Sequence, residues 1–221
     1  MKRKTMVYLL VVGMGFYSFL TTQFFTNDPP VRERVAHADK ELKTNQTFQV
    51  KSFHTLPDKE ITLLDAYELG FKKAKEYDEN PELLFLNSVD DRRVDGANGK
   101  RRDWRGVYAL PNRDRHFVVV IEKGKLKNYT IAASSDEYRI KNSDIQIDSN
   151  QIVKQAVTQF ELQPGPKDDP FSTGYHFRLV RDAKNIFISV SGERNGKRVD
   201  VYYQAKTGEY LGRVENRRKA S

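Results

Sequence analysis

Acidic residues after position 89 form the first pattern in this sequence that could carry chemistry. Asp91 and Asp95 offer carboxylate oxygens at the spacing with which a calcium-binding loop begins. Such a loop also needs an oxygen ligand at its third position and a glutamate at its twelfth, where this chain has Arg93 and Arg102. The sequence therefore favours a solvated loop over a calcium site.

Three consecutive cations, Lys100, Arg101 and Arg102, shortly precede Trp104, the only tryptophan of the chain. Together with Arg105 they could form an edge that binds an anion or a peptide through cation–π contacts to the indole. A second interpretation places the indole at the start of a strand, packed into the core beneath a basic turn. In both interpretations a loop this polar is expected to lie outside the core.

Tyrosines near the end of the chain form another candidate surface. Tyr202, Tyr203 and Tyr210 lie in strand-like runs, where core and edge packing is the simplest role. The alternative is a tyrosine-lined face that binds an extended peptide by strand addition. The candidate partner-binding residues are therefore Lys100, Arg101, Arg102, Trp104, Arg105, Tyr202 and Tyr203.

The remaining chemical residues are scattered. No two of the four histidines have a spacing typical of zinc ligands, and the chain contains no cysteine. None of its serines lies in the glycine-flanked turn of a nucleophile elbow. We therefore expect no metal, no cofactor and no catalytic residues.

The N-terminus combines the cationic cluster Lys2-Arg3-Lys4 with an uncharged apolar run, Met6–Phe25. About 20 apolar residues in a helix span roughly 30 Å, the thickness of a bilayer core. Cations before the first span favour a cytoplasmic N-terminus, so the sequence predicts a single-pass membrane protein with an extracytoplasmic C-terminal domain. Cleavage after Ala36-His37-Ala38 is the alternative, although that site lies far beyond the apolar run.

Composition narrows the class of protein. The chain has 221 residues and a net charge of +8, with acids and bases mixed along it. That excess suits anionic lipid headgroups or wall polymers, and the predicted compartment argues against nucleic acid. The absence of cysteine fits a bacterial envelope protein that relies on a packed core instead of disulfides.

Two similar series of elements follow a polar stalk. Thr62 is a candidate cap for a helix over residues 63–77, and Ser149 for a second helix over 151–160. Period-two alternation and turn signals predict four strands after each helix. The predicted strands are 83–89, 104–110, 116–122 and 125–131 in the first series, and 175–181, 186–192, 197–204 and 209–214 in the second.

This order predicts an α+β fold. We expect two tandem units, each with one helix packed on a four-stranded antiparallel sheet, after an N-terminal transmembrane helix. The predicted segments are an anchor at 1–26, a stalk at 27–60, a first unit at 61–142, a second unit at 143–216 and a basic tail at 217–221.

The closing residues of the second unit resemble those of a PepSY domain. Residues 199–211 read VDVYYQAKTGEYL, in which a strand runs into an Ala-x-Thr-Gly turn and a last short strand, and the helix over 151–160 stands where that family has its leading helix. The first unit is similar in its order of elements and in residues 122–126, but has a long polar loop at 90–102. The resemblance implies a non-catalytic domain that binds or restrains a protein partner.

The sequence thus leads to a functional expectation. We expect a non-catalytic, membrane-anchored extracytoplasmic module that regulates a protein partner, such as an envelope peptidase or a membrane protein. A structural envelope protein that associates with anionic wall polymer or lipid headgroups is the first alternative. An envelope hydrolase is the second, and would require acid, base or nucleophilic groups that converge in a pocket.

Overall fold

A computed structural model describes residues 58–135, 137–167 and 173–216. This part of the chain contains two helices and eight strands, with short 3-10 turns at Pro111–Arg113 and Asn142–Asp144. The helices are α1 (Leu63–Ala74) and α2 (Ser149–Phe160). The strands are β1 (Glu82–Val89), β2 (Asp103–Leu110), β3 (Arg115–Glu122), β4 (Lys125–Ala133), β5 (His176–Arg181), β6 (Ile186–Arg194), β7 (Lys197–Gln204) and β8 (Tyr210–Asn216).

Both helices begin at capping boxes. The Thr62 hydroxyl accepts a hydrogen bond from the Asp65 N–H at 3.2 Å, and the Asp65 carboxylate accepts one from the Thr62 N–H at 3.2 Å. The cap of α2 is Asp148 rather than the predicted Ser149, which is the first residue of the helix. α1 ends three residues before the predicted position 77, because the chain turns after Ala74.

The eight strands form one continuous antiparallel sheet in the order β4-β3-β2-β1-β5-β6-β7-β8. The prediction of two separate four-stranded sheets is therefore wrong. Each predicted series does form a four-stranded meander, but β1 and β5 pair through Phe85–Val180, Leu86–Leu179 and Asn87–Arg178. Each of these strands is the first of its meander and would otherwise expose an unpaired edge, so their pairing removes two edges at once.

Both helices pack on the same face of this sheet. Residues that pair directly across an antiparallel sheet share a face. Tyr108 of β2 donates its hydroxyl hydrogen to the carbonyl of Tyr67 on α1, and Phe160 of α2 packs against Tyr210 of β8. One row of cross-strand partners on this face is Val119, Gly106, Leu86, Leu179, Ile188 and Tyr203.

The N-termini of the two helices meet at one point of the core. The Leu63 N–H donates to the Ser149 hydroxyl at 2.9 Å, and the Leu64 N–H donates to the Asp148 carboxylate at 3.0 Å. The cap of α2 thus also satisfies amide groups in the first turn of α1. Gly99 comes so close to this point that a Cβ there would lie 2.3 Å from the Asn150 Cα, and its φ of 79° also favours glycine.

The predicted anchor at Met6–Phe25, the stalk up to residue 57 and the tail at 217–221 lie outside the described residues. Within residues 58–135, 137–167 and 173–216, no helix is long and apolar enough to cross a membrane. Each helix has 12 residues, which corresponds to about 18 Å. This finding corrects the prediction of a single-pass membrane protein.

Trp104 tests whether the two meanders unfold as one unit. Its indole is fully buried and stacks on Phe177 of β5 with ring centroids 6.4 Å apart. We expect Trp104→Ala to lower the free energy of unfolding by about 3–5 kcal/mol, because it leaves a cavity in the shared core. Urea unfolding followed by circular dichroism should show one transition, shifted to lower urea. Trp104→Phe is the matched control with a smaller loss, and two separate transitions would contradict a shared core.

Candidate protein-binding surfaces

The predicted basic loop is built around a buried arginine. Arg101 is fully buried, and its Nη1 donates to the carbonyl of Val94 at 2.6 Å and to that of Thr173 at 3.2 Å. Its Nη2 donates to the carbonyl of Val89 at 3.3 Å. This guanidinium therefore holds the loop between β1 and β2 against the chain that enters β5.

Two carboxylates compensate the buried charge. The Nη2 of Arg101 lies 3.4 Å from a carboxylate oxygen of Asp90 and 4.0 Å from one of Asp91. Burial opposes ionisation of Asp90, but hydrogen bonds from the N–H groups of Arg92 and Thr173, both at 2.8 Å, outweigh it and lower its pKa. Asp91, which resembled the first ligand of a calcium-binding loop, thus serves together with Asp90 as a counter-ion for an arginine.

The next two predicted residues are also buried. Arg102 is 7% exposed, and its Nη2 lies 2.5 Å from a carboxylate oxygen of Asp58. Trp104 lies in β2, and its indole N–H donates to the Arg101 carbonyl at 3.2 Å. The interpretation with the indole in the core is confirmed, whereas the expectation that the whole basic loop lies outside the core is wrong.

The predicted site residues do not form one surface. Lys100 is half-buried beside the buried loop, and Tyr203 is buried on the helix side of the sheet. Only Arg105, which is exposed, and Tyr202, which is half-buried, share the face of the sheet opposite the helices. A role in partner binding stays a prediction for all seven residues. Of Arg105 and Tyr202, Arg105 is the more accessible to a partner.

The sheet edge at β4 is a surface that the residue motifs did not identify. Seven of its nine residues are exposed, and in the described parts of the chain only β3 pairs with it. Tyr129 and Ile131 are 39% and 44% exposed. Its first residues are basic, with Lys125 and Lys127 on the same strand. A period-two strand pattern could find β4, but not its place at the edge of the sheet.

Contacts on the helix side hold Tyr129 in place. Its ring stacks on Phe117 with centroids 5.2 Å apart, and its hydroxyl accepts a hydrogen bond from the Tyr77 hydroxyl at 2.9 Å. The Lys73 ammonium lies 5.1 Å from the centroid of the Tyr129 ring. The helix side of the β4 edge therefore carries packed aromatic side chains at its middle, with the Lys73 ammonium beside them.

Ser88, His176 and Asp90 lie near one another and are of the residue types that a nucleophilic triad combines. The Ser88 hydroxyl is 3.4 Å from His176 Nδ1, and His176 Nε2 is 4.0 Å from an Asp90 carboxylate oxygen. The same hydroxyl accepts a hydrogen bond from the Phe177 N–H at 2.9 Å, and this bond joins β1 to β5. The adjoining cavity measures about 10 Å³, which is room for a water molecule but not for a substrate.

A larger cleft of about 610 Å³ lies between the β1–β2 loop and the loop that follows α2. Its walls carry both signs of charge, with Arg92 and Arg93 opposed by Glu60 and Asp95. Among the described residues, no three histidine, aspartate or glutamate side chains are placed to hold a metal ion. The cleft therefore presents a surface of mixed charge.

Comparisons with known proteins add little to this geometry. No family model matches the sequence, and no curated protein matches it either. A similar solved structure is described as the "crystal structure of a putative lipoprotein" from Clostridium difficile 630. The similarity covers 68% of this chain and 92% of that chain, with 10% identity and a TM-score of 0.45. A similarity at this level does not transfer a function.

Neutralising Arg101 should destabilise the fold. Arg101→Ala leaves Asp90 buried without its arginine and leaves backbone carbonyls at the junction without their donor, so we expect the free energy of unfolding to fall by about 3–5 kcal/mol. Lys100→Ala is the matched control, because the neighbouring lysine is only half-buried, and should change it by less than about 0.5 kcal/mol. Urea unfolding of both variants makes the comparison. Equal effects would show that the arginine does not join the two meanders.

His176 should make stability depend on pH. Burial, and then the nearby Arg101 charge, lower its pKa from 6.5 to about 4. The unfolded chain therefore binds a proton at this residue before the folded chain does, and stability falls as the pH drops from 6.5 to about 4. We expect a loss of about 3 kcal/mol that His176→Gln removes, measured by urea unfolding across this pH range. An unchanged pH profile in His176→Gln would contradict this assignment.

Proposed function

We propose that this chain is a non-catalytic binding module that captures an extended segment of a protein partner by strand addition to β4. The observation that carries the proposal is the nine-residue edge strand whose side chains are mostly exposed. The unpaired side of an edge strand presents backbone N–H and C=O groups, which form a template for another strand. The segment would become a ninth strand of the sheet.

Residues 128–133 are the most suitable part of this edge. Their pairing with β3 is regular, because the one register shift lies before them, between Val120 and Ile121. They contain no charged residue and no proline, both of which protect edge strands from pairing. They also contain no glycine, which weakens a strand. At the opposite edge of the sheet, β8 contains Gly212 and a register shift at Tyr202/Tyr203. These features make β4 the better template.

The side chains around β4 describe the partner segment. Tyr129 and Ile131 pair with Val119 and Phe117, so they lie on the helix side of the sheet. Apolar side chains at alternate positions of an added strand would extend this apolar side. Lys127, near the start of β4, lies 3.3 Å from a carboxylate oxygen of Glu122 in an exposed ion pair, and it would exchange this partner for acidic residues at one end of the segment. We therefore propose an extended segment that alternates apolar and polar residues and carries acids at one end.

The arrangement around Ser88 supports a non-catalytic role. Its hydroxyl is engaged by the Phe177 amide, and the neighbouring cavity has no room for a substrate. The resemblance of residues 199–211 to a PepSY domain supports the same proposal, since that family binds or restrains proteins. An envelope protein such as a peptidase remains the proposed kind of partner.

Proline substitutions in β4 should separate the edge from the fold. Neighbouring strand residues direct their N–H groups to opposite sides. Of Thr130→Pro and Ile131→Pro, one therefore removes a hydrogen bond to β3 and the other only a donor at the open edge. We expect the variant that removes only the open-edge donor to stay folded. It should bind a fluorescent peptide of alternating valine and threonine with two terminal glutamates about tenfold more weakly. Anisotropy with the full chain measures this affinity.

The control peptide carries lysines in place of the two glutamates and should bind more weakly. Unchanged affinity in the folded proline variant would contradict strand addition. Binding that depends strongly on salt but on neither proline would instead favour association of the protein with anionic polymers or headgroups through charge alone.

A further inference from the structure

The face of the sheet opposite the helices carries an apolar strip. Its members are cross-strand neighbours on five adjacent strands, β3, β2, β1, β5 and β6, and all of them are half-buried. Within the described residues, both helices lie on the other face. The members of the strip are Val118, Val107, Phe85, Val180 and Phe187.

Strand propensity alone does not explain this strip. The neighbouring row on the same face contains Arg105, Asn87, Arg178 and Ser189 on four of the same strands, so these strands accept polar residues there. An antiparallel sheet with one solvated face ordinarily alternates apolar and polar residues between its two faces. A row of valine and phenylalanine on a face that neither helix covers, within the described residues, departs from this alternation and is typical of a contact surface.

Polar residues bound the strip at both ends. On β4 the next cross-strand neighbour is Thr130, beside Val118, and on β7 it is Gln204, beside Phe187. The strip thus crosses five strands and four spacings between them, which is about 19 Å. An apolar centre with a polar rim is the arrangement of a protein interface.

We propose that this strip is the docking site for an acidic amphipathic helix of a protein partner. A helix laid across the strands advances about 5.4 Å per turn, close to the strand spacing of about 4.8 Å. Each turn can therefore place one apolar side chain on one strand of the strip. About 13 residues of helix cover its length.

Charge selects the occupant. Arg105 and Arg178 are exposed in the row beside the strip, and both are in register with Asn87, which lies between them. They are two strand spacings apart, about 10 Å, which matches two acidic residues seven positions apart on a helix. A second copy of this chain would bring the same arginines to the interface and is disfavoured by like charge. The inference goes beyond strand addition, since it uses a surface other than the β4 edge.

The test uses the full chain and a fluorescent 14-residue helical peptide with leucines along one face and two glutamates seven positions apart. A matched peptide carries lysines in place of those glutamates. We expect saturable binding of the acidic peptide and at least about tenfold weaker binding of the lysine peptide. Arg105→Glu combined with Arg178→Glu should reverse that preference.

The strip itself is tested by Val107→Thr combined with Val118→Thr, which keeps the side-chain shape and the β-branched character. We expect about a tenfold loss of acidic-peptide affinity with an unchanged urea midpoint. The folded β4 proline variant should bind this peptide normally, so failure of this proposal is distinguishable from failure of strand addition. Unchanged affinity in the threonine variant, or no saturable binding, would overturn the proposal. A dimer of the full chain in sedimentation that the threonine variant makes monomeric would overturn it in favour of a second copy.

Discussion

The pairing of β1 with β5 is the constraint on which the rest of this structure depends. Three residue pairs join two meanders that would otherwise be separate sheets. Because cross-strand partners share a face, this register aligns the two apolar faces and places both helices over a single core. The meeting of the two helix N-termini at Ser149 and the stacking of Trp104 on Phe177 both require this alignment.

The charged cluster at Arg101 follows from the same junction. Pairing of β1 with β5 brings the loop after β1 against the chain before β5, where backbone carbonyls would be buried without donors. The Arg101 guanidinium supplies several donors in a planar fork, and Asp90 and Asp91 balance its charge. A cluster of charges at this place therefore satisfies backbone groups and is not available as a surface for a ligand.

The surfaces left for partners are also set by the sheet. Joining the meanders leaves two edges, β4 and β8, and β4 contains a six-residue stretch, 128–133, of regular register and uncharged, mostly exposed residues. With both helices on one face, the other face keeps its apolar strip beside Arg105 and Arg178. An edge offers backbone hydrogen bonds, while a face offers apolar area, so the two surfaces suit different parts of a partner.

Local sequence by itself determined the elements. Periodicity and capping residues located both helices and all eight strands to within a few residues, because these signals depend on residues only a few positions apart. Only the tertiary structure decided which strands pair, since alternation shows that a strand has a buried face and not which strand lies beside it. It also decided the fate of the candidate site. The hydrogen bond from Arg101 to Thr173 joins residues 72 positions apart, and no local pattern of charge predicts such a partner.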